Sequence, residues 1–155
     1  MSFVVTGLSA EPFVHLFGAD EAALAAAGAI RYRADSKPGF PCRITLEDAE
    51  PGETVLLLNH EHLDVETPYR ARHAIFVREA ATAPARCENA MPPALAGRLL
   101  AIRAYDADGM MIDAEIVEGA EAIQLVERFL ADPRAAYLHA HNARRGCFAA
   151  RIDRA

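Results

Sequence analysis

The sequence predicts an α+β fold, with one domain over 1–155 built on a mainly antiparallel sheet, and three observations carry this prediction. Short apolar stretches recur along most of the chain, and turn residues separate them. Asp108-Gly109 lies between two such stretches and is the best two-residue hairpin signal in the chain. Only the segment 119–131 carries a long apolar stripe at helical spacing, so we expect one substantial amphipathic helix there.

The first part of the chain predicts a strand, two short helices and a second strand. Residues 2–6 alternate between polar and apolar and predict the first strand. Ser9 and Asp20 are residue types that begin helices, and Gly28 stands where the second short helix would end. Residues 30–34 alternate again and predict a half-buried strand.

The most apolar stretch of the chain is 54–58, which predicts a strand that is buried on both faces in the middle of a sheet. Asp132-Pro133 follows the predicted helix and ends it, because the residue before a proline disfavours helical backbone. The remaining strands are predicted at 73–78, 99–107, 110–117, 136–141 and 147–152.

Length and composition exclude several classes of protein. With 155 residues, 52% hydrophobic and 25% charged, the chain can bury one ordinary core without disulfides or a structural metal. The net charge is −6, from 16 basic and 22 acidic residues, and no basic cluster offsets it. A nucleic-acid partner is therefore not expected, since a phosphate backbone would be repelled.

The sequence also predicts a compartment. The N-terminus lacks the basic start and apolar run of a secretory signal, and no apolar run approaches the roughly 20 residues of a transmembrane helix. The three cysteines, Cys42, Cys87 and Cys147, are odd in number and show no C-x-x-C spacing, which is typical of a reduced intracellular chain. We expect a cytoplasmic protein with no membrane partner.

Histidine placement is the main functional clue. Five of the six histidines lie at the ends of predicted strands: His60, His62, His73, His139 and His141. Residues two apart on a strand share a face, so each H-x-H pair presents both rings on one side. If the two strands are neighbours, four imidazoles converge.

These four rings support a first hypothesis, a metal-dependent enzyme with His60, His62, His139 and His141 as candidate ligands. Neutral imidazole is the commonest protein ligand for zinc, copper, nickel and iron. The alternative is that the pairs are hydrogen-bonded polar residues near a sheet edge. Nearby arginines count against a divalent cation, because like charges raise the cost of binding it.

The leading hypothesis is a binding protein for a small anionic metabolite, either a carboxylate or a phosphate. Guanidinium groups bind both in bidentate fashion, and arginine pairs flank the histidines at Arg70 and Arg72 and at Arg144 and Arg145. The alternative is that these arginines are solvated or paired with Glu61, Asp64 and Glu66. The predicted ligand-binding residues are Arg70, Arg72, His73, His60, His62, His139, His141 and Asn142.

Two further hypotheses stay open. Cys147 or Cys42 could act as a nucleophile with His139 or His141 as its base and Asn142 orienting the imidazole, although a packed cysteine explains the same residues. A non-catalytic module would instead pair an exposed strand edge at 147–152 with another copy in a homodimer. The sequence names neither a cofactor nor a reaction.

Motifs along nearly the whole chain resemble a known family. They read KPGFPCR at 37–43, LLNHEH at 57–62, PYR at 68–70, HAIFVR at 73–78, YDADGMM at 105–111, YLHAHN at 137–142 and GCFAARID at 146–153. In this order they are similar to the bacterial domain-of-unknown-function family 1203. The resemblance implies a stand-alone bacterial domain, and it transfers no catalytic residue because the family has no assigned function.

Overall fold

A computed structural model describes every residue from Met1 to Ala155, and nine strands dominate it. The strands are β1 (Phe3–Thr6), β2 (Ile30–Arg33), β3 (Thr54–Leu63), β4 (Ala71–Arg78), β5 (Arg86–Glu88), β6 (Leu99–Tyr105), β7 (Met111–Glu118), β8 (Tyr137–Asn142) and β9 (Phe148–Arg154). The α-helices are α1 (Glu21–Ala26), α2 (Pro93–Ala96) and α3 (Ala122–Ala131), with 3-10 turns at Val14–Leu16 and Gly119–Glu121.

The strands form two antiparallel sheets. The larger sheet has the order β5-β1-β9-β8-β6-β7, and the smaller one has the order β2-β3-β4. The protein is thus a mixed α and β structure whose sheets are antiparallel, as the sequence predicts. β3 is the middle strand of the smaller sheet, which agrees with the continuous apolar run at 54–58.

The predicted hairpin joins β6 to β7, but its loop is one residue longer than predicted. The Asp106 N–H donates to the Met110 carbonyl oxygen at 2.9 Å and the Gly109 N–H to the Asp106 carbonyl oxygen at 3.1 Å, so the loop comprises residues 107–109. Gly109 has a φ of +87°, a left-handed conformation that glycine adopts without strain. Asp106 closes the turn, because its side-chain Oδ1 accepts hydrogen bonds from the backbone N–H groups of Asp108 at 2.9 Å and Met110 at 3.0 Å. Local chemistry therefore favours the turn at this position.

Helix α3 covers one face of the larger sheet. It buries Ala122, Leu125, Val126, Phe129 and Leu130, which recur at helical spacing. These residues pack in a cluster of 19 buried residues that includes strand positions such as Ile102, Leu138 and Ala140. Burying this many apolar side chains is the main favourable contribution to folding.

The smaller sheet has its own core with the N-terminal segment. Phe13, Leu16 and Leu24 pack with Leu56, Leu58, Ile75 and Val77 in a cluster of 12 buried residues. The segment after Ser9 forms turns and one 3-10 turn, while Asp20 begins α1 by accepting a hydrogen bond from the Ala23 N–H at 2.8 Å.

One structural expectation is wrong. The homodimer hypothesis needs a free strand edge at 147–152, but β9 pairs with β1 on one side and with β8 on the other. The edge strands of the larger sheet are β5 and β7.

None of the helices has the length and apolar character that crossing a membrane requires.

The segment 39–46 connects the two sheets. Cys42 forms an isolated bridge with Phe76 of β4. Arg43, only 2% exposed, donates from Nε to the carbonyl oxygen of Phe148 in β9 at 2.7 Å. The two regions that bear chemically active side chains lie along this junction.

Candidate functional site

His62, His139 and His141 form the first region, which we call the histidine cluster. The ring centroids of His62 and His141 are 5.0 Å apart, those of His62 and His139 are 6.1 Å apart, and those of His139 and His141 are 6.2 Å apart. The structure thus brings together three of the four histidines of the two H-x-H pairs.

The rings meet between the two sheets, where the His62 ring lies edge-on to His139 at 62° and to His141 at 76°. Leu138 and Ala140 of β8 pack with α3, so His139 and His141, which alternate with them, point to the opposite face. His62 approaches that face from β3 of the smaller sheet. The condition under which four imidazoles would converge is not met, because β3 and β8 belong to different sheets and are not neighbouring strands.

Aromatic side chains enclose the histidine cluster. Phe148 stacks on His62 with centroids 5.2 Å apart and an interplanar angle of 9°, and it lies 4.9 Å from His139. Tyr105 and Tyr137 contact His139 on another side, at 5.2 and 5.3 Å. His139 is only 2% exposed and His141 only 1% exposed.

Burial keeps these three rings neutral. It lowers the pKa of His62 to about 4, that of His139 to about 2 and that of His141 to about 3, because a charged imidazolium is costly away from water. The 3.0 Å contact between His141 Nδ1 and the Gly146 carbonyl oxygen requires the proton of the neutral ring on Nδ1.

The other ring nitrogens of the cluster have few partners. Both nitrogens of His62, Nδ1 of His139 and Nε2 of His141 are buried without a hydrogen bond. Yet no group of three or more His, Cys, Asp or Glu side chains is arranged to hold a metal ion. The cluster is a contact between neutral rings of the two sheets.

His60 and His73 do not join the cluster as direct ring contacts. They pair across β3 and β4, and the His60 ring packs on Phe13 with centroids 5.6 Å apart. Burial lowers the pKa of His60. His73 is exposed and lines the cavity between the two sheets that is described below.

Arg70 and Arg72 are already engaged by neighbours on the smaller sheet. Arg70 pairs with Glu61 and with Asp64, at 3.1 Å each, and the hydrogen bond to Glu61 raises the pKa of Arg70. Arg72 donates to the side-chain oxygen of Asn59. The ion pairs of Arg70 match the alternative in which these arginines are paired with nearby carboxylates of the chain.

The second region is a cavity of about 700 Å³ between the two sheets, which we call the arginine groove. Its lining on the larger-sheet side includes Arg98, Glu118, Asn142, Arg144, Arg145 and Cys147. Its lining on the smaller-sheet side includes Tyr32, Leu57, His73 and Phe76, and the connecting segment adds Phe40 and Arg43. Of the predicted binding residues, His73 and Asn142 line it.

Arg43 lies in the floor of the groove with neutral partners. It donates to the carbonyl oxygens of Phe148 at 2.7 Å and Pro41 at 2.6 Å, and to the Cys147 sulfur at 3.0 Å. No carboxylate pairs with it, and burial lowers its pKa. A buried guanidinium without a counter-charge leaves positive potential in the cavity.

Cys147 takes its hydrogen bonds from this arginine and from an amide. Asn142 Nδ2 lies 3.6 Å from the Cys147 sulfur, which also accepts from Arg43 at 3.0 Å. Neither His139 nor His141 hydrogen-bonds to the thiol, and His141 Nδ1 is engaged with Gly146. The thiol and histidines of the nucleophile hypothesis therefore do not form a bonded pair, and Cys42 does not line the groove.

Arg98, like Arg43, is held in place by hydrogen bonds within the chain. It binds Asp48 through both terminal nitrogens, at 2.6 and 2.8 Å, and Asp48 is only 7% exposed. Burial works to raise the pKa of Asp48, but the hydrogen bonds from Arg98 and Gly39 outweigh it, and that pKa is below its ordinary value. The pair fixes the position of the Arg98 guanidinium at the groove wall.

Arg144 and Arg145 are the free cations of the groove. Both are exposed on the hairpin loop between β8 and β9, and neither forms an ion pair or side-chain hydrogen bond. Gly146 follows them with a φ of +78°, which the turn requires. The loop thus presents two unengaged guanidinium groups to the cavity.

Sequence reasoning missed Arg43, Arg98 and the aromatic side chains of the groove. Arg43 contacts residues 104 and 105 positions away, so no local pattern reveals its role. The one available signal is the KPGFPCR motif, which contains both Phe40 and Arg43.

Comparison with known proteins gives one match. A family model with the description "Protein of unknown function (DUF1203)" matches residues 39–154, about three quarters of the chain. No curated protein and no solved structure matches the sequence or the fold. The matched range contains every residue of the histidine cluster and all four arginines of the groove.

Proposed function

We propose that this chain, which belongs to the DUF1203 family of proteins of unknown function, binds a small organic anion in the arginine groove. One observation carries the proposal: Arg144 and Arg145 line the cavity and have no carboxylate partner. In a protein with a net charge of −6, two adjacent arginines without a counter-ion at a cavity call for an anion from outside the chain.

The size and composition of the groove support this proposal. A cavity of about 700 Å³ lies within the range of roughly 300 to 1,000 Å³ that is common for small-molecule sites. Apolar side chains make up 8 of its 18 lining residues, which suits the carbon skeleton of a metabolite. Arg43 and Arg98 are held in place before any ligand arrives, so their positive charge costs no reorganisation on binding.

The metal hypothesis receives no such support. The three converging histidines pack among aromatic rings, and their donor atoms do not form a metal-binding group. We therefore place the ligand site in the arginine groove and not at the histidine cluster. Of the ligand-binding residues predicted from the sequence, only His73 and Asn142 line this groove.

The test is calorimetric titration of the protein with a panel of carboxylates and phosphate esters. We expect the double variant Arg144→Ala, Arg145→Ala to lose at least about tenfold in affinity, since each bidentate charged contact contributes on the order of 1.5–3 kcal/mol. Raising the ionic strength should weaken binding to the unaltered protein, because part of the attraction is screened.

A matched control is available within the chain. The double variant Arg70→Ala, Arg72→Ala removes the same net charge from arginines that are engaged with Glu61, Asp64 and Asn59. We expect its affinity to change less than twofold. An equal loss in the two double variants would mean that only net charge matters, and it would overturn the assignment of the groove.

A further inference from the structure

The two sides of the arginine groove differ in chemistry. The side formed by the larger sheet carries Arg98, Arg144 and Arg145. The opposite side carries Tyr32 and Phe76, and the connecting segment adds Phe40. A ligand in this cavity therefore meets guanidinium groups on one side and aromatic rings on the other.

The aromatic side is a continuous wall. Phe76 is its centre, with the Tyr32 ring 6.0 Å away at 84° and the Phe40 ring 5.3 Å away at 63°. Tyr32 remains 40% exposed, although it is large and partly apolar. Aromatic rings prefer edge-to-face and offset contacts with other rings, so this wall is suited to an aromatic ring of a ligand.

The arginine groove carries two more positive charges than negative charges. Four guanidinium groups, those of Arg43, Arg98, Arg144 and Arg145, line the cavity. Two carboxylates accompany them: Glu118, which lines the cavity, and Asp48, which binds Arg98. Four positive charges against two negative charges leave an excess of two, which a dianion would neutralise.

From these two features we infer that the ligand is an aryl dianion, a molecule that joins an aromatic ring to a phosphate monoester or to a pair of carboxylates. This inference rests on the proposed function and narrows it to a ligand class. The doubly charged group contacts Arg144 and Arg145, and the ring packs against Tyr32, Phe40 and Phe76. A guanidinium group of the loop can also cover the outer face of the ring.

Calorimetry with small probes tests each half of the ligand separately. At pH 8, phenyl phosphate carries the ring and two charges, inorganic phosphate lacks the ring, and benzenesulfonate has the ring with a single charge. We expect phenyl phosphate to bind at least about tenfold more tightly than either of the other two. Phthalate, an aryl dicarboxylate, distinguishes paired carboxylates from a phosphate ester as the source of the dianion.

Two tyrosine variants locate the ring. Tyr32 and Tyr69 are similarly exposed, at 40% and 38%, but only Tyr32 lines the groove. We expect Tyr32→Ala to weaken phenyl phosphate about fivefold or more and to leave inorganic phosphate unchanged. Tyr69→Ala should change neither affinity. A urea titration of each variant verifies that it is folded.

The outcomes separate this inference from the proposed function. Equal affinities for phenyl phosphate and inorganic phosphate, both lost in Arg144→Ala, Arg145→Ala, would overturn the aromatic assignment and keep the anion site. Benzenesulfonate binding as tightly as phenyl phosphate would overturn the dianion. Affinities that do not respond to Arg144→Ala, Arg145→Ala would overturn the proposed function itself.

Discussion

The histidine cluster and the arginine groove lie along the same junction between the two sheets and use polar side chains in opposite ways. The cluster holds His62, His139 and His141 as neutral rings among aromatic neighbours. The groove holds its arginines charged around a cavity, and two of them have no partner. One region closes the junction and the other leaves it open.

This difference shows that residue type alone does not identify a binding site. Histidine is the more usual sign of chemistry, because its ordinary pKa lies near neutrality. Here burial lowers the pKa of the three rings far below that range, so they are uncharged at neutral pH. The arginines keep their charge and face open space, and they are therefore the groups that can attract a ligand.

The largest effect that we expect is a loss of stability in acid, which comes from the histidine cluster and not from the arginine groove. An unfolded histidine has a pKa of about 6.5, whereas the folded values are about 2 for His139 and about 3 for His141. The unfolded chain binds more protons below pH 6.5, so stability is complete above that pH and falls as pH decreases. Each ring lowers the free energy of unfolding by up to about 1.4 kcal/mol per pH unit.

Urea unfolding at pH 7.5, 6.5, 5.5 and 4.5 measures this loss. His139→Phe keeps an aromatic ring in place and removes one titrating group, so its slope between pH 6.5 and 4.5 should be shallower. Carboxylates reduce the free energy of unfolding only at lower pH. Glu79 is an example, because the hydrogen bond from Arg31 lowers its pKa to about 2. A free energy of unfolding that is constant from pH 7.5 to 4.5 would contradict the buried, neutral state of the cluster.

Truncating a ring of the cluster should have the next largest effect. His139→Ala removes a ring that packs against Tyr105, Tyr137 and Phe148, and the cavity left behind should lower the free energy of unfolding by about 3 kcal/mol. Anion affinity should not change. His15→Ala, at an exposed position, is the control and should cost less than about 0.5 kcal/mol. Loss of anion binding in folded His139→Ala would return the histidines to the ligand site.

A smaller effect concerns thiol labelling in the groove. Cys147 lines the cavity, and Cys87 is partly exposed elsewhere. Phenyl phosphate at ten times its dissociation constant should slow the alkylation of Cys147 by iodoacetamide about tenfold, because only unoccupied protein reacts. The rate at Cys87 is the internal reference. Peptide mass spectrometry gives both rates, and an unchanged rate at Cys147 would place the ligand outside the groove.

The smallest expected effect is on the stability of the groove variants. Arg144→Ala, Arg145→Ala should change the free energy of unfolding by less than about 0.5 kcal/mol, because both side chains are exposed and unpaired. Urea unfolding at pH 7.5 measures this change. A larger loss would show that these arginines support the hairpin instead of a ligand.

Local signals predicted much of the fold. The hairpin around Asp108-Gly109 and the buried strand at 54–58 both appear where the sequence places them, although the hairpin loop has three residues instead of two. The division into two sheets was not predicted, because alternation along a strand shows which side chains share a face and not which sheet contains the strand. Three histidines nevertheless converge, since facing sheets bring side chains together as effectively as neighbouring strands do.

The candidate site was harder to predict, because arginine pairing depends on tertiary structure. Arg70 and Arg144 look equivalent in the sequence, as each lies close to a histidine and to a second arginine. In the fold, Arg70 contacts Glu61 and Asp64, whereas Arg144 meets no carboxylate. Only the folded chain therefore distinguishes an engaged arginine from a free one.

The loop that joins β8 to β9 has an evolutionary consequence. Its two arginines are exposed, and both flanking strands are held by the larger sheet. Selection can therefore vary Arg144 and Arg145 with little cost to folding, provided that the turn glycine Gly146 is kept. Related proteins could acquire different ligand preferences through substitutions in this short loop, and a library randomised at these two positions could change the specificity of the groove.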